Sequence, residues 1–122
     1  MKALLLVAHG SRRKQSNDEV VELAHRLKKN CSDQYGIIHA GFLELAETLI
    51  PDGIKKCVDE GASTIVVLPY FLNSGRHVVE DIPEIVEQAQ PEYPGVEIKL
   101  AQHLGASDMM MDLLIASANA TD

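Results

Sequence analysis

The chain of 122 residues contains no tryptophan, and aromatic residues make up only 4% of it. Its core must therefore be aliphatic, with little ring stacking to hold it together. Cysteine is almost missing as well, with Cys31 and Cys57 standing alone. Two such residues make neither a disulfide framework nor a metal-spacing motif, so both are expected to be small buried or half-buried thiols. No apolar run approaches the roughly 18 residues that a membrane span requires. The opening Met1-Lys2-Ala3-Leu4-Leu5-Leu6-Val7-Ala8 superficially looks like a signal peptide. However, its apolar run is short and flows into His9-Gly10-Ser11 with no small-x-small cleavage site. It reads as a buried strand, and the expected setting is the cytoplasm. Basic residues are few, 11 against 18 acidic ones, for a net charge of −7. A nucleic-acid binder usually needs the opposite balance.

What remains is ordinary soluble composition, 46% hydrophobic and 24% charged, over a length that fits one domain, residues 1–122. Four short apolar runs, 3–8, 37–42, 64–69 and 96–101, alternate with longer amphipathic stretches. The first and third runs are nearly continuous in apolar residues, as central strands covered on both faces should be. The fourth alternates Val96, Ile98 and Leu100 with Glu97 and Lys99, the pattern of a half-exposed edge strand. A first helix is expected to start near Ser16 or Asn17 as cap, with Asp18 and Glu19 in its first turn and Lys28-Lys29 at its end. Val20, Val21, Leu23, Ala24 and Leu27 form its apolar stripe. A second helix opens around Pro51 and stops at Gly61. A third follows Asp81-Ile82-Pro83, with Asp81 as its candidate cap, and a fourth runs from about Ser107 to Ala118, with part of its Met109–Met111 run expected in the core and one methionine able to face a partner. Strand–helix alternation implies an α/β fold, a small doubly wound parallel sheet of four strands with helices on both faces. The expected strand order is 2-1-3-4.

In such a sheet the carboxyl ends of the strands share one rim, and ligands bind in the crevice there. Three of the five histidines fall just past a strand end: His9 in Ala8-His9-Gly10-Ser11-Arg12, His77 after Asn73-Ser74-Gly75-Arg76, and His103 in Gln102-His103-Leu104. Glu44 follows the remaining strand. Imidazole and carboxylate together suit a divalent transition metal. His103 follows the edge strand and could sit far from the switch point, His25 reads as exposed, and His39, inside a strand, as a satisfied or partly buried histidine. Arg12, Arg13 and Lys14 gather behind His9, and Arg76 precedes His77, which suits an anionic ligand in an otherwise acidic chain. Tyr70, Phe71 and Leu72, with Phe42 and Leu43 beside them, form an apolar ledge. The residues alone leave several readings open: a metal or proton site, an anion loop in which Gly10 and Ser11 offer backbone donors, a histidine-dependent phosphatase, or a solvated loop.

The ordered set Ala8-His9-Gly10-Ser11-Arg12, Phe42-Leu43-Glu44, Leu68-Pro69-Tyr70-Phe71-Leu72, Gly75-Arg76-His77 and Asp81-Ile82-Pro83 resembles the small sirohydrochlorin chelatases of the class II, ATP-independent chelatase group. The resemblance runs from Lys2 to about Gly105. It implies insertion of a divalent metal into sirohydrochlorin, a carboxylate-rimmed tetrapyrrole, with His9 and His77 as metal-binding and catalytic histidines and Glu44 at the site. It also implies a homodimer with its active-site cleft at the subunit interface. Ser11, Arg12, Arg13 and Arg76 would then meet the substrate, the arginines pairing with its carboxylates, and Tyr70 or Phe71 would pack on the ring. The metal is substrate rather than resident cofactor, and cobalt is favoured over nickel and iron. A non-catalytic metal or tetrapyrrole carrier is the rival reading.

Overall fold

The computed structural model describes residues 1–31 and 33–121, and for His77 the backbone alone. Four parallel strands, β1 (Lys2–Ala8), β2 (Ile37–Phe42), β3 (Thr64–Pro69) and β4 (Glu97–Leu100), form one sheet in the order β2-β1-β3-β4. This is the expected architecture and order. Ala3 through Ala8 are all buried, because β1 has a strand on each side and helices above and below.

Two apolar layers flank the sheet. On one face α2 (Ile50–Asp59) and α3 (Ile82–Ala89) cover Ala3, Leu5, Val7, Ile65 and Val67. On the other, α1 (Lys14–Cys31) seats Ala24 against Leu4 and Ile38. The first layer is the larger, and its packing is close. A Cβ added at Gly53 of α2 would lie 2.9 Å from Leu5 Cδ1, so glycine there lets the helix settle directly on the leucine. α2 takes Pro51 into its first turn and is followed by Gly61 at φ 103°, the start and stop read from sequence. The core is aliphatic, as the missing aromatics require.

Several boundaries differ from expectation. α1 starts at Lys14, so neither Ser16 nor Asn17 caps it and no acidic residue lies in its first turn. Val21 is exposed rather than part of the buried stripe. Asp81 is itself helical, at φ −69° and ψ −47°. It ends a π-helical turn, His77–Asp81, that feeds α3, so residue 77 opens a helical turn instead of sitting in a long loop. Leu100 stays partly exposed while Ile98 is buried. The final helix, α4 (Met110–Asn119), contains no buried residue, so none of the methionine run belongs to the core.

Both thiols are unpaired. Cys31 is half-buried and donates to the Leu27 carbonyl at 2.9 Å. Burial, reinforced by nearby Glu60, pushes the Cys57 thiol up to about 12. A thiol is reactive only as thiolate, so Cys57 should resist alkylation in the native chain at pH 8 and react only after denaturation. Peptide mapping of iodoacetamide adducts checks this. Leu5→Ala should cost about 2–5 kcal/mol, read as a lower midpoint in urea unfolding.

Candidate functional site

The chain leaves β1 toward one face of the sheet and β3 toward the other, so the carboxyl end of the β1–β3 pair is the switch point. Backbone hydrogen bonds carry the strand pairing past the strand ends. Leu43 N–H donates to Ala8 O at 3.1 Å, Glu44 N–H to His9 O at 3.2 Å, and Tyr70 N–H to Val7 O at 2.7 Å. His9, Glu44 and Tyr70 are thereby fixed side by side along one rim, and all three are exposed there.

Gly10, at φ 96°, makes this approach possible. A Cβ at that position would collide with the Glu44 carbonyl, and an L-residue would resist the left-handed backbone. His9 Nδ1 lies 3.0 Å from Gly10 O. A carbonyl oxygen only accepts, so Nδ1 is the donor in this contact.

Asn17 is the residue that sequence reasoning misplaced. It sits inside α1 and braces the loop instead of capping the helix. Its Oδ1 accepts from Ser11 N–H at 2.9 Å, and its Nδ2 donates to both Ser11 O and Leu45 O, each at 2.9 Å. Leu45, next to Glu44, holds φ 58°, a conformation that costs a leucine roughly 1–2 kcal/mol. The loop returns to β2 where Phe42 N–H donates to Thr48 O at 2.9 Å. Only the fold brings Leu45 within reach of Asn17, 28 positions earlier, so no local pattern announces the brace.

The same contacts bear on the anion-loop reading. Ser11 N–H is taken by Asn17, and Arg13 N–H donates to Ser11 Oγ at 3.0 Å. One of the two backbone donors that reading relies on, Ser11 N–H, is thus already used, which counts against a phosphatase loop.

The basic side chains remain at the surface. Arg13 donates to Gln15 Oε1 at 2.9 Å, and Arg76 Nε lies 3.7 Å from Glu80 Oε2 with both groups largely exposed. Exposed pairs of this kind are worth at most about 1 kcal/mol, so a polyanionic ligand can draw both arginines away. Ser11 and Arg12 line a cavity of about 480 Å³ between α1 and the β2 loop, with Phe42 and Leu45. His9 and Glu44 lie outside that cavity, on the open rim. Phe71 is half-buried against the larger core layer, whereas Tyr70 and Leu72 are exposed. The side chain of His77 lies outside the described residues. Among the described residues, no three His, Cys, Asp or Glu side chains converge as a metal cluster.

The segment carrying His103 comes back to the rim. Gly105 N–H donates to Phe71 O at 2.9 Å, and a side chain at Gly105 would collide with Leu72 O. His103 is half-buried there. His39 donates from Nε2 to Glu60 at 2.8 Å and is half-buried, and His25 is exposed beside Glu22, both as expected.

The CbiX family model matches residues 3–121. A sirohydrochlorin ferrochelatase of Priestia megaterium is 35% identical over 122 residues, which are 100% of this chain and 45% of that protein. A sirohydrochlorin cobaltochelatase of Methanococcus maripaludis is 33% identical over 144 residues, which are 98% of this chain and 99% of that protein. The sirohydrochlorin chelatase SirB of Bacillus subtilis subspecies spizizenii, solved in complex with cobalt, superposes with a TM-score of 0.83 at 30% identity, covering 98% of this chain and 50% of that one. The chain therefore spans about half of the bacterial relatives and nearly all of the archaeal one.

Removing the Asn17 brace should loosen the rim as a unit. Three hydrogen bonds at a net value of about 1 kcal/mol each put the cost of Asn17→Ala at roughly 2–3 kcal/mol. Asn17→Asp, which retains the acceptor for Ser11 N–H and loses both donors, should fall between. Urea unfolding of the three proteins checks the ranking.

Proposed function

The chain belongs to the CbiX family, and we propose that it inserts a divalent metal ion into sirohydrochlorin. The observation that carries this reading is the correspondence, along nearly the full length of both proteins, with an archaeal sirohydrochlorin cobaltochelatase. The exposed imidazole of His9 and carboxylate of Glu44 on one rim support the reading. Metal insertion removes two pyrrole protons and exchanges the metal's ligands one after another. A neutral imidazole can do either task near neutral pH, and His9 takes that role in this reading. We assign the same role to His77 and give Glu44 the task of orienting an imidazole or passing on a proton.

Few protein ligands are an advantage here. A tetrahedral thiolate cage would hold the ion, whereas one or two imidazoles leave positions open for the macrocycle. Arg12, Arg13 and Arg76 pair with the substrate's carboxylates, Ser11 lies beside them, and Tyr70 with Phe71 offers an apolar ledge for the ring. The metal is a substrate, and no permanently bound cofactor enters this scheme. Imidazole and carboxylate accept cobalt, nickel and iron alike. Cobalt is favoured because the relative that matches this chain in length is a cobaltochelatase.

A rim open on one side cannot enclose a macrocycle, so the working form is a homodimer with the cleft at the subunit interface. Two unpaired thiols suit the reducing cytoplasm. No helix among the described residues is long and apolar enough to cross a membrane.

Anaerobic mixing of the protein with sirohydrochlorin and Co²⁺, Ni²⁺ or Fe²⁺, followed by absorbance, tests the reading. Insertion should exceed the uncatalysed rate and be fastest with cobalt. His9→Ala and His77→Ala should each lower it by about two orders of magnitude or more, the usual worth of a positioned acid–base group. Tight binding of the tetrapyrrole without acceleration would replace the enzyme by a carrier.

A further inference from the structure

The loop that carries Glu44 is closed at both ends and held in the middle by one bond. At its ends Glu44 N–H donates to His9 O, and Phe42 N–H donates to Thr48 O. Over residues 45–47, among the described residues, the only hydrogen bond is the one from Asn17 Nδ2 to Leu45 O at 2.9 Å. That bond falls on the one described non-glycine residue with a left-handed backbone, Leu45 at φ 58°.

Packing does not offset the strain there. Leu45 is 47% exposed and belongs to neither apolar layer. Freed from the bond, a leucine would favour an ordinary backbone, and the left-handed penalty corresponds to roughly 5–30-fold in population. Because the loop is tied at Glu44 and at Thr48, a turn at Leu45 pulls on both ties. Glu44 has no room to yield in place, since its carbonyl lies against Gly10, where a Cβ would collide with it. Relaxation of Leu45 therefore works directly against the bond from Glu44 N–H to His9 O.

Asn17 also grips the other side of the site. Its Oδ1 accepts from Ser11 N–H and its Nδ2 donates to Ser11 O, each at 2.9 Å. Ser11 lies just beyond His9 and Gly10, and Leu45 directly follows Glu44. One amide, half-buried on α1, thus spans the two loops that bear the imidazole and the carboxylate.

Taking metal insertion as the reaction, a reading on which this assignment rests, we infer that Asn17 is a positioning residue. By holding Leu45 in its left-handed backbone it keeps the Glu44 carboxylate in register with His9. All three of its bonds end on main chain, so it acts through the loops and not on the substrate.

Steady-state kinetics with sirohydrochlorin and Co²⁺ test this, beside amide exchange at Glu44 by NMR and urea unfolding. Asn17→Ala should lower kcat about tenfold, the share of molecules that leave the competent loop. KM for sirohydrochlorin should change by less than about threefold, since Arg13 and Arg76 have their own, separate partners. Exchange at Glu44 N–H should quicken. Adding Leu45→Gly removes the penalty, because glycine adopts this backbone freely. In that double variant kcat should return to within about threefold of the wild type and Glu44 exchange should slow. Its urea midpoint should stay low, because the bonds of Asn17 are still missing. Leu45→Val, with every Asn17 bond available, should lower kcat as well, since a β-branched residue resists the left-handed region. A kcat that is unchanged in Asn17→Ala, or that tracks the urea midpoint through the series, overturns the positioning role and leaves a structural brace. A wild type that does not accelerate insertion overturns the metal-insertion reading, and Glu44 exchange then decides the clamp by itself.

Discussion

The pairing of β1 on both of its edges is the constraint on which the rest of this structure depends. β2 and β3 run parallel to it, so three strands end together and their following loops leave from one rim. The ladder does not stop at the last strand residues. The bonds from Leu43, Glu44 and Tyr70 to the carbonyls of Ala8, His9 and Val7 convert a sheet edge into a set of backbone positions held to hydrogen-bond tolerance. Parallel pairing demands crossovers, and it is the crossovers that supply α1, α2 and α3 and bury the strands from both faces.

The rim places rigid backbone under exposed side chains. Its stiffness comes from Gly10, from the left-handed Leu45 and from the three bonds of Asn17, all of which act on main chain. The groups suited to chemistry, His9, Glu44 and the arginines, project outward with modest commitments to their neighbours. For a reaction in which a metal must arrive, exchange its ligands and depart inside a macrocycle, weak and replaceable protein contacts are an advantage. Exposed charge pairs are individually worth little, so the arginines are held only loosely by their neighbours.

The stability of the chain is unevenly placed. The larger apolar layer, under α2 and α3, holds most of the fully buried side chains, and the layer under α1 is smaller. Part of the second face and the whole of α4 keep apolar surface in the open.

Much of this could be read from the sequence alone. Alternation of short apolar runs with amphipathic stretches dictated the parallel sheet and its order. The nearly unbroken apolar stretch at Ala3–Ala8 marked the central strand, and Pro51 with Gly61 bounded α2. The rim positions of His9 and Glu44 followed from the strand ends, because side-chain period and strand polarity are local properties. What depended on contacts distant in sequence was not legible. Asn17 looked like a helix cap because Asn commonly is one, and only the fold brought Leu45 O within 2.9 Å of it. Asp81 looked like a cap too, yet the π-helical turn ahead of it absorbed that position. The bond that ties the segment after β4 to Phe71 O likewise had no local signal. The methionines of the last helix looked partly like core because apolarity says that a residue seeks burial without saying in which molecule. Sequence determined which residues are apolar, which turn and where the strands end, all of which are set within a few bonds. The tertiary structure decided which distant backbone groups meet and which apolar face is left without a partner, since those are outcomes of packing the whole chain at once.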